Sequence, residues 1–183
     1  IVKPTSPSAA AFSYSSSDTS VATITGNVVT IVGAGLTTIT ATQNSNGNYG
    51  QMINTATLTV AKADANISMT IPTSAPLNTL INGNTLSIIA SSSSSVPVAI
   101  TISPSNMGTF TGSNGNYVLS NVSSTGLITF TATVAATSNY NAATITRTMN
   151  VSKSNQTIYF PLPQAVTYSP NGTVDLSQFA TSN

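Results

Sequence analysis

Apolar and polar residues alternate with a period of two along most of the chain. In residues 128–134 the apolar side chains, Phe130 among them, fall on one side, and three Thr side chains fall on the other. Residues 55–60 repeat the pattern, with Leu58 on the apolar side. Such alternation is typical of half-buried β-strands. No stretch has a 3.6-residue apolar period with capping residues, so the pattern predicts an all-β chain of antiparallel sheets with little or no helix.

Turn residues separate these stretches. Residues 21–25 and 28–32 flank Gly26-Asn27, a pair that suits the positive φ of a tight hairpin turn. Strands recur about every 8–12 residues with turn signals between them, a spacing that favours a β-sandwich over a parallel sheet.

The chain also repeats itself at a separation of 91 residues. Six pairs of matches share this separation: Gly35-Leu36 with Gly126-Leu127, Thr40-Ala41-Thr42 with Thr131-Ala132-Thr133, Asn48-Tyr49 with Asn139-Tyr140, Lys62 with Lys153, Ile67 with Ile158, and Pro72 with Pro163. Repeats of this length are close to the roughly 100 residues of an immunoglobulin-type sandwich. The pattern therefore predicts tandem immunoglobulin-like β-sandwiches.

The separation is shorter in one place. Thr25-Gly26 recurs as Thr111-Gly112, 86 residues later. We therefore expect about five extra residues around Ser113 to Tyr117, in a hairpin loop, where insertions are best tolerated.

The repeat divides the chain into three segments. Residues 1–61 correspond to a repeat that lacks its first strands, 62–152 to a complete repeat, and 153–183 to the opening strands of a further repeat. Two explanations stay open. Either the chain samples a longer array of repeats, or the tail of one molecule completes the head of the next by strand addition.

Composition excludes several classes of partner. Only 4% of the residues are charged, against roughly 25% in an average domain, and the net charge is +1. Such a chain has no basic patch for nucleic acid or anionic lipid. It also lacks a run of 18 apolar residues that could span a bilayer. We expect no nucleic-acid partner and no membrane span in this segment.

The chain has few residues that carry catalytic or metal chemistry. It contains no His, no Cys and no Glu. Its three carboxylates, Asp18, Asp64 and Asp175, lie in three different repeats. The commonest general bases, nucleophiles and transition-metal ligands are therefore missing. We expect no catalytic, cofactor-binding or metal site, and hence no enzyme.

Three charged residues are candidates for contacts between domains or with a partner. Arg147 stands where the alternation of the last strand places Ala56 in the earlier copy, on the inward face. Because an unpaired buried charge is costly, we expect Arg147 near the rim of the sandwich with its side chain reaching water. Lys62 and Asp64 lie at the junction of two repeats with almost no spacer, which predicts a semi-rigid rod.

Residues 14–24, Tyr-Ser-Ser-Ser-Asp-Thr-Ser-Val-Ala-Thr-Ile, resemble the signature of bacterial immunoglobulin-like (Big-type) tandem repeats. The second repeat has residues 105–110, Ser-Asn-Met-Gly-Thr-Phe, in place of the signature and is a diverged copy. Repeats of this family occur in adhesins, surface-layer proteins, phage decorations and virion proteins of large DNA viruses.

The resemblance implies a non-catalytic structural segment of a large surface protein, either a fibre or capsid-associated part of a virion or a cell-surface stalk. Such a segment acts as a rod, spacer or assembly module at an extracellular surface. Its partners would be neighbouring repeats of the same protein and other surface or capsid proteins. The alternative is an adhesion module whose loops bind host glycan or a protein receptor.

Overall fold

In a computed structural model of the chain, residues 5–161, 165, 167–178 and 181–182 are described. Their secondary structure is almost entirely β, as predicted, and the helical segments among them are three short 3₁₀ turns, Leu77–Thr79, Ser105–Met107 and Leu176–Gln178. The strands are β1 Phe12–Ser16, β2 Ala22–Thr25, β3 Val28–Ile31, β4 Gly35–Gln43, β5 Met52–Val60, β6 Ala63–Asp64, β7 Ile67–Thr70, β8 Ser74–Pro76, β9 Thr85–Ser92, β10 Ala99–Ser103, β11 Thr109–Ser113, β12 Asn116–Ser120, β13 Gly126–Val134, β14 Tyr140–Asn141, β15 Ala143–Ser152, β16 Ile158–Tyr159 and β17 Thr181–Ser182.

Residues 62–152, called here the second segment, contain two four-stranded sheets that face each other. One sheet has the order β11-β12-β9-β7 and the other the order β10-β13-β15-β8. Both sheets contribute to a single core in which Ile88 and Leu119 from the first sheet and Phe130 and Met149 from the second are fully buried. The alternation of apolar and polar residues thus puts apolar side chains of both sheets between the two layers.

Two partly buried aromatic rings, Phe110 and Tyr117, pack against this core. The Phe110 ring packs edge to face against Phe130, with 5.9 Å between centroids, and stacks on Tyr117 at 5.0 Å. Such pairs add about 0.5–1.5 kcal/mol beyond the area that they bury. The Phe110–Phe130 contact therefore joins the two sheets.

Residues 5–61, called here the first segment, form a three-stranded sheet of order β1-β4-β5 and the separate hairpin β2–β3. The β4–β5 ladder runs from Gly35↔Val60 to Gln43↔Met52, and the β13–β15 ladder runs from Gly126↔Val151 to Val134↔Ala143. All nine residue pairs of one ladder lie 91 residues before their counterparts. The two strand pairs therefore have identical register, offset by the same 91 residues that separate the sequence repeats.

Both hairpins have two-residue turns. Gly26-Asn27 connects β2 and β3, as predicted, and Asn114-Gly115 connects β11 and β12. The expected insertion in the second hairpin loop is therefore wrong. Before the hairpin, β1 and β10 correspond at a separation of 86, the two turns lie 88 residues apart, and the next strands lie 91 apart. Two of the extra residues therefore precede the hairpin and three follow it. Asn114 and Gly115 both have positive φ, 52° and 79°, and this need fixes the turn there rather than at Thr111-Gly112.

Two short strand pairs depart from the expected antiparallel pattern. After β7 the chain crosses to the other sheet, where β8 runs parallel to β15, with Val151 opposite Ala75. β6 also runs parallel to β14, with Tyr140 opposite Ala63. In the tail, residues 153–183, β16 and β17 form an antiparallel pair.

Candidate functional site: the junction between the first and second segments

Main-chain pairing joins the linker to a loop of the second segment. β6, directly after the last strand of the first segment, pairs with β14, which belongs to the loop between β13 and β15. The Ala63 N–H donates to the Asn139 carbonyl oxygen at 2.9 Å. Residues 137–141 of this loop are called the clasp loop. A linker paired as a strand cannot bend freely, because bending would break its ladder.

Asn139 reaches back to the first segment. Its Oδ1 accepts a hydrogen bond from the Ala34 N–H at 2.9 Å. Gly33 makes room for this contact, since a Cβ at Gly33 would lie 3.0 Å from Asn139 Oδ1 and 2.8 Å from the Ser20 carbonyl oxygen. A single side chain of the second segment thus bonds the β3–β4 loop of the first.

Thr137 holds the clasp loop in shape. Its Oγ1 accepts hydrogen bonds from the N–H groups of Asn139 and Tyr140, at 3.2 and 2.9 Å, and its own N–H donates to the Tyr140 carbonyl. In the first segment, Asn46 and Tyr49 exchange two main-chain hydrogen bonds in the equivalent loop, 91 residues earlier. Local bonds therefore shape the loop in both copies, although Tyr140 bonds the Thr137 side chain where Tyr49 bonds the Asn46 main chain.

Two of the charged candidates lie at this junction. Lys62 Nζ donates to the Thr137 carbonyl oxygen at 2.7 Å, and Asp64 Oδ1 accepts from Asn141 Nδ2 at 2.8 Å. Both bonds are exposed to solvent, so each adds at most about 1 kcal/mol. Both bonds tie the linker to the clasp loop and so add to the main-chain pairing of β6 with β14.

Arg147 lies elsewhere. It stands opposite the buried Phe130 across the β13–β15 ladder, yet its side chain is exposed and its Nη1 donates to the neighbouring Thr146 carbonyl at 3.0 Å. On its other side, β15 pairs with β8 only at residues 150–152, so the strand edge beside Arg147 is open. The guanidinium extends over this edge into solvent. A contact of Arg147 with another domain or chain stays a prediction.

The polar turn at Ser16–Ser20 is a second organised feature. The Thr37 hydroxyl, buried beneath it, accepts from the Asp18 N–H at 3.0 Å and shares a hydrogen bond with the Ser16 hydroxyl at 2.7 Å. The hydroxyl and main-chain N–H of Ser20 both donate to Asp18 Oδ1, and these bonds lower the pKa of Asp18. The turn has a structural role, since its polar groups satisfy one another.

One groove of about 430 Å³ opens on the first segment. No charged side chain lines it. Its lining consists of Thr5, Ser6, Pro7, Ser8, Phe12, Ala41, Gln43, Tyr49, Gly50, Gln51, Met52 and Asn54. Aromatic rings beside amides and hydroxyls could contact an uncharged polar ligand.

Sequence reasoning placed Lys62 and Asp64 at the junction but missed Asn139 and Thr137. The recurrence of Asn48-Tyr49 as Asn139-Tyr140 was the available signal, but a repeated pair does not reveal which group it bonds. Within the described residues, no three metal-ligating side chains lie together. No helix in that part of the chain is long and apolar enough to cross a membrane. No protein-family model matches the chain, and no curated protein matches it significantly.

Proposed function

We propose that this chain is a non-catalytic structural segment of a large surface protein, in which successive domains act as a rod, spacer or assembly module. The observation that carries this proposal is the junction. Main-chain pairing of β6 with β14, the Asn139–Ala34 hydrogen bond and the bonds of Lys62 and Asp64 resist bending between the two segments. A protein that works by shape and reach needs such stiffness, whereas a chain of independent binding modules does not.

We infer further that the second segment is an immunoglobulin-like sandwich of the bacterial tandem-repeat type. Counting β8 as an extension of the first strand, its sheets have the strand orders 4-5-2-1 and 3-6-7. These are the orders of a constant-type immunoglobulin domain, in which strands A, B, E and D form one sheet and C, F and G the other. The signature-like residues 14–24 of the first segment support the same assignment.

The scarcity of charge fits an exposed, extracellular setting on a virion or a cell. With 4% charged residues, the surface has few ion pairs for salt to screen, so its contacts persist at high ionic strength. A small net charge also leaves little electrostatic barrier to contact with like molecules. Both properties favour a component of an assembled surface whose partners are neighbouring repeats and other surface proteins.

Double electron–electron resonance tests the stiffness of the junction. The chain has no Cys, so Ser15→Cys and Thr101→Cys place one spin label on an exposed strand position of each segment without background. We expect a narrow distance distribution, which Asn139→Ala broadens because the Ala34 N–H loses its partner. Asn150→Ala, an exposed Asn on β15, serves as the matched control and should leave the distribution unchanged. A broad distribution in the parent chain would remove the basis for the rod.

The second candidate function, an adhesion module for host glycan or protein, rests on the groove of the first segment. Tyr49 is 46% exposed beside Gln51 and Asn54, an arrangement that offers an aromatic face and amide groups to a sugar. A glycan array with the labelled chain tests it. Binding that Tyr49→Ala abolishes, and that Tyr168→Ala leaves intact, would favour adhesion over the purely structural role.

A further inference from the structure

Asparagine is followed directly by glycine at four places in the chain, Asn46-Gly47, Asn82-Gly83, Asn114-Gly115 and Asn171-Gly172. This pair is open to an internal reaction, because the glycine nitrogen can attack the neighbouring side-chain amide without a Cβ in its way. Whether the reaction occurs in a folded chain depends on what holds that nitrogen in place.

Two of these pairs form closely similar turns in the second segment. Residues 82–84 and residues 114–116 both have the sequence Asn-Gly-Asn. Asn82 and Asn114 have φ of 57° and 52°, and the glycines that follow them have φ of 84° and 79°. Positive φ at both central residues is what a type I′ turn requires. Because local sequence and local backbone match, a difference in reactivity between Asn82 and Asn114 must come from the surrounding structure.

The main chain of Gly115 is enclosed. Gly115 is buried, its N–H donates to the Val98 carbonyl oxygen at 2.8 Å, and its carbonyl oxygen accepts from the Ala90 N–H at 2.8 Å. A Cβ at Gly115 would collide with the Ala90 carbonyl oxygen. The Gly115 nitrogen can therefore attack the Asn114 side chain only after the turn has opened.

The main chain of Gly83 lies in open space instead. Asn82 and Gly83 are both exposed, and a Cβ at Gly83 would meet no atom within 4 Å. Within the described part of the chain, neither the Gly83 N–H nor the Asn82 side chain has a hydrogen-bond partner. One bond closes this turn, from the Asn84 N–H to the Ile81 carbonyl oxygen at 3.1 Å. Bringing the Gly83 nitrogen to the Asn82 amide thus breaks a single bond of a surface turn.

We propose that Asn82 is a site of spontaneous deamidation, where the folded chain converts this amide into a carboxylate. The Gly83 nitrogen forms a bond to Asn82 Cγ, the Cγ–Nδ2 bond breaks, and Nδ2 leaves as ammonia with the proton of the Gly83 nitrogen. Water then opens the succinimide ring and returns a proton to the ring nitrogen. Addition of water at Cγ gives aspartate, whereas addition at the main-chain carbonyl carbon gives isoaspartate, in which the chain runs through Cγ.

The product changes the charge of a segment that has almost none. Residues 65–152 contain no carboxylate and one cation, Arg147. Residue 82 becomes the first anionic side chain among them, and the net charge of the chain falls from +1 to zero. Because water is the only other reactant, the modified fraction rises with the age of the molecule. The modification does not depend on the proposed role as a rod.

Peptide mapping by mass spectrometry of the full chain, aged at fixed pH and temperature, tests this proposal. Pepsin digestion yields peptides that contain residue 82 or residue 114, and electron-transfer fragmentation distinguishes aspartate from isoaspartate. We expect Asn82 to deamidate at least about tenfold faster than Asn114, since the Gly115 nitrogen must first lose a buried hydrogen bond. In concentrated urea the two rates should become equal, because both sites have the sequence Asn-Gly-Asn.

Two variants separate the chemistry from its surroundings. Asn82→Gln keeps an amide but needs a larger ring, so it should nearly abolish modification at residue 82 and leave the Asn114 rate unchanged. Leu119→Ala removes a fully buried side chain from β12, and should raise the Asn114 rate towards that of Asn82 without changing the Asn82 rate. Equal rates in the folded parent chain, an unmodified Asn82, a difference that persists in urea, or an Asn114 rate that Leu119→Ala leaves unchanged would each overturn the proposal.

Discussion

Leu119 and Ile31 occupy the same position in two copies of one hairpin, yet their surroundings differ. Leu119 in β12 is 0% exposed, because the sheet that contains Phe130 lies across it, whereas Ile31 in β3 is 52% exposed. Truncating each residue to Ala therefore measures what the facing layer contributes at that position. Leu119→Ala should destabilise the second segment far more than Ile31→Ala destabilises the first.

The magnitudes follow from burial. Leu119→Ala removes a fully enclosed side chain and leaves a cavity, a change that costs about 3–5 kcal/mol. In a domain of about 90 residues this lowers Tm by on the order of 15 °C or more. Ile31→Ala leaves no cavity and removes a side chain that is already half in water, so its cost should stay below about 1 kcal/mol.

Hydrogen exchange with mass spectrometry reads the two segments separately within the intact chain. Peptides that cover β12 and β3 report the opening free energy of each hairpin. If Ile31→Ala lowered the protection of its segment as much as Leu119→Ala lowers that of the other, a layer would cover Ile31, and the half-exposed position of this side chain would be wrong.

Two further predictions concern the polar turn of the first segment. The pKa of Asp18 is lowered below its ordinary 3.8 by the Ser20 bonds, so Asp18 stabilises the folded first segment above that pH, and this stabilisation is lost as pH falls through the lowered pKa. Residues 65–152 contain no carboxylate and should keep constant exchange protection over the same range, and equal losses in both segments would contradict the role of Asp18. Thr37→Val keeps the shape but deprives the Asp18 N–H of its acceptor, and should cost about 1–2 kcal/mol in urea unfolding. The exposed Thr57→Val is the control, and an equal effect there would speak against the buried bond.

Strand identity and the equal register of the β4–β5 and β13–β15 ladders could be predicted from the sequence, because alternation with a period of two and a fixed separation are direct consequences of a pleated, half-buried sheet. The Gly26-Asn27 turn was predictable for the same reason, since few residue pairs tolerate its backbone angles. The parallel placement of β8 was not. Ser74–Pro76 is three residues long and carries no alternation, so only the tertiary structure decides which sheet it joins.

The position of the junction could be predicted from the sequence, but the groups that bond there could not. Charged residues beside a short linker identified Lys62 and Asp64, but their partners are a main-chain carbonyl and an amide, and the bond to the first segment uses another amide. Such groups occur everywhere in this chain. Asn139 acts because Thr137 fixes its loop and Gly33 leaves space for its side chain. Such a contact joins residues 105 positions apart in sequence, and no local pattern encodes it.

The two copies of the ladder stabilise their cores by different means, and this explains why the signature-like residues occur in only one of them. Thr37 and Gln43 are buried in the first segment where the second buries Ile128 and Val134. A buried hydroxyl or amide must find partners. The turn around Asp18 supplies them for Thr37, and the carbonyl oxygens of residues 8 and 10 accept from Gln43. Where Ile128 replaces the hydroxyl, no polar turn is required above it. The serine-rich turn therefore supplies hydrogen-bond partners to one buried threonine. Replacing Ile128 by Thr without such a turn would leave an unsatisfied hydroxyl in the core of the second segment.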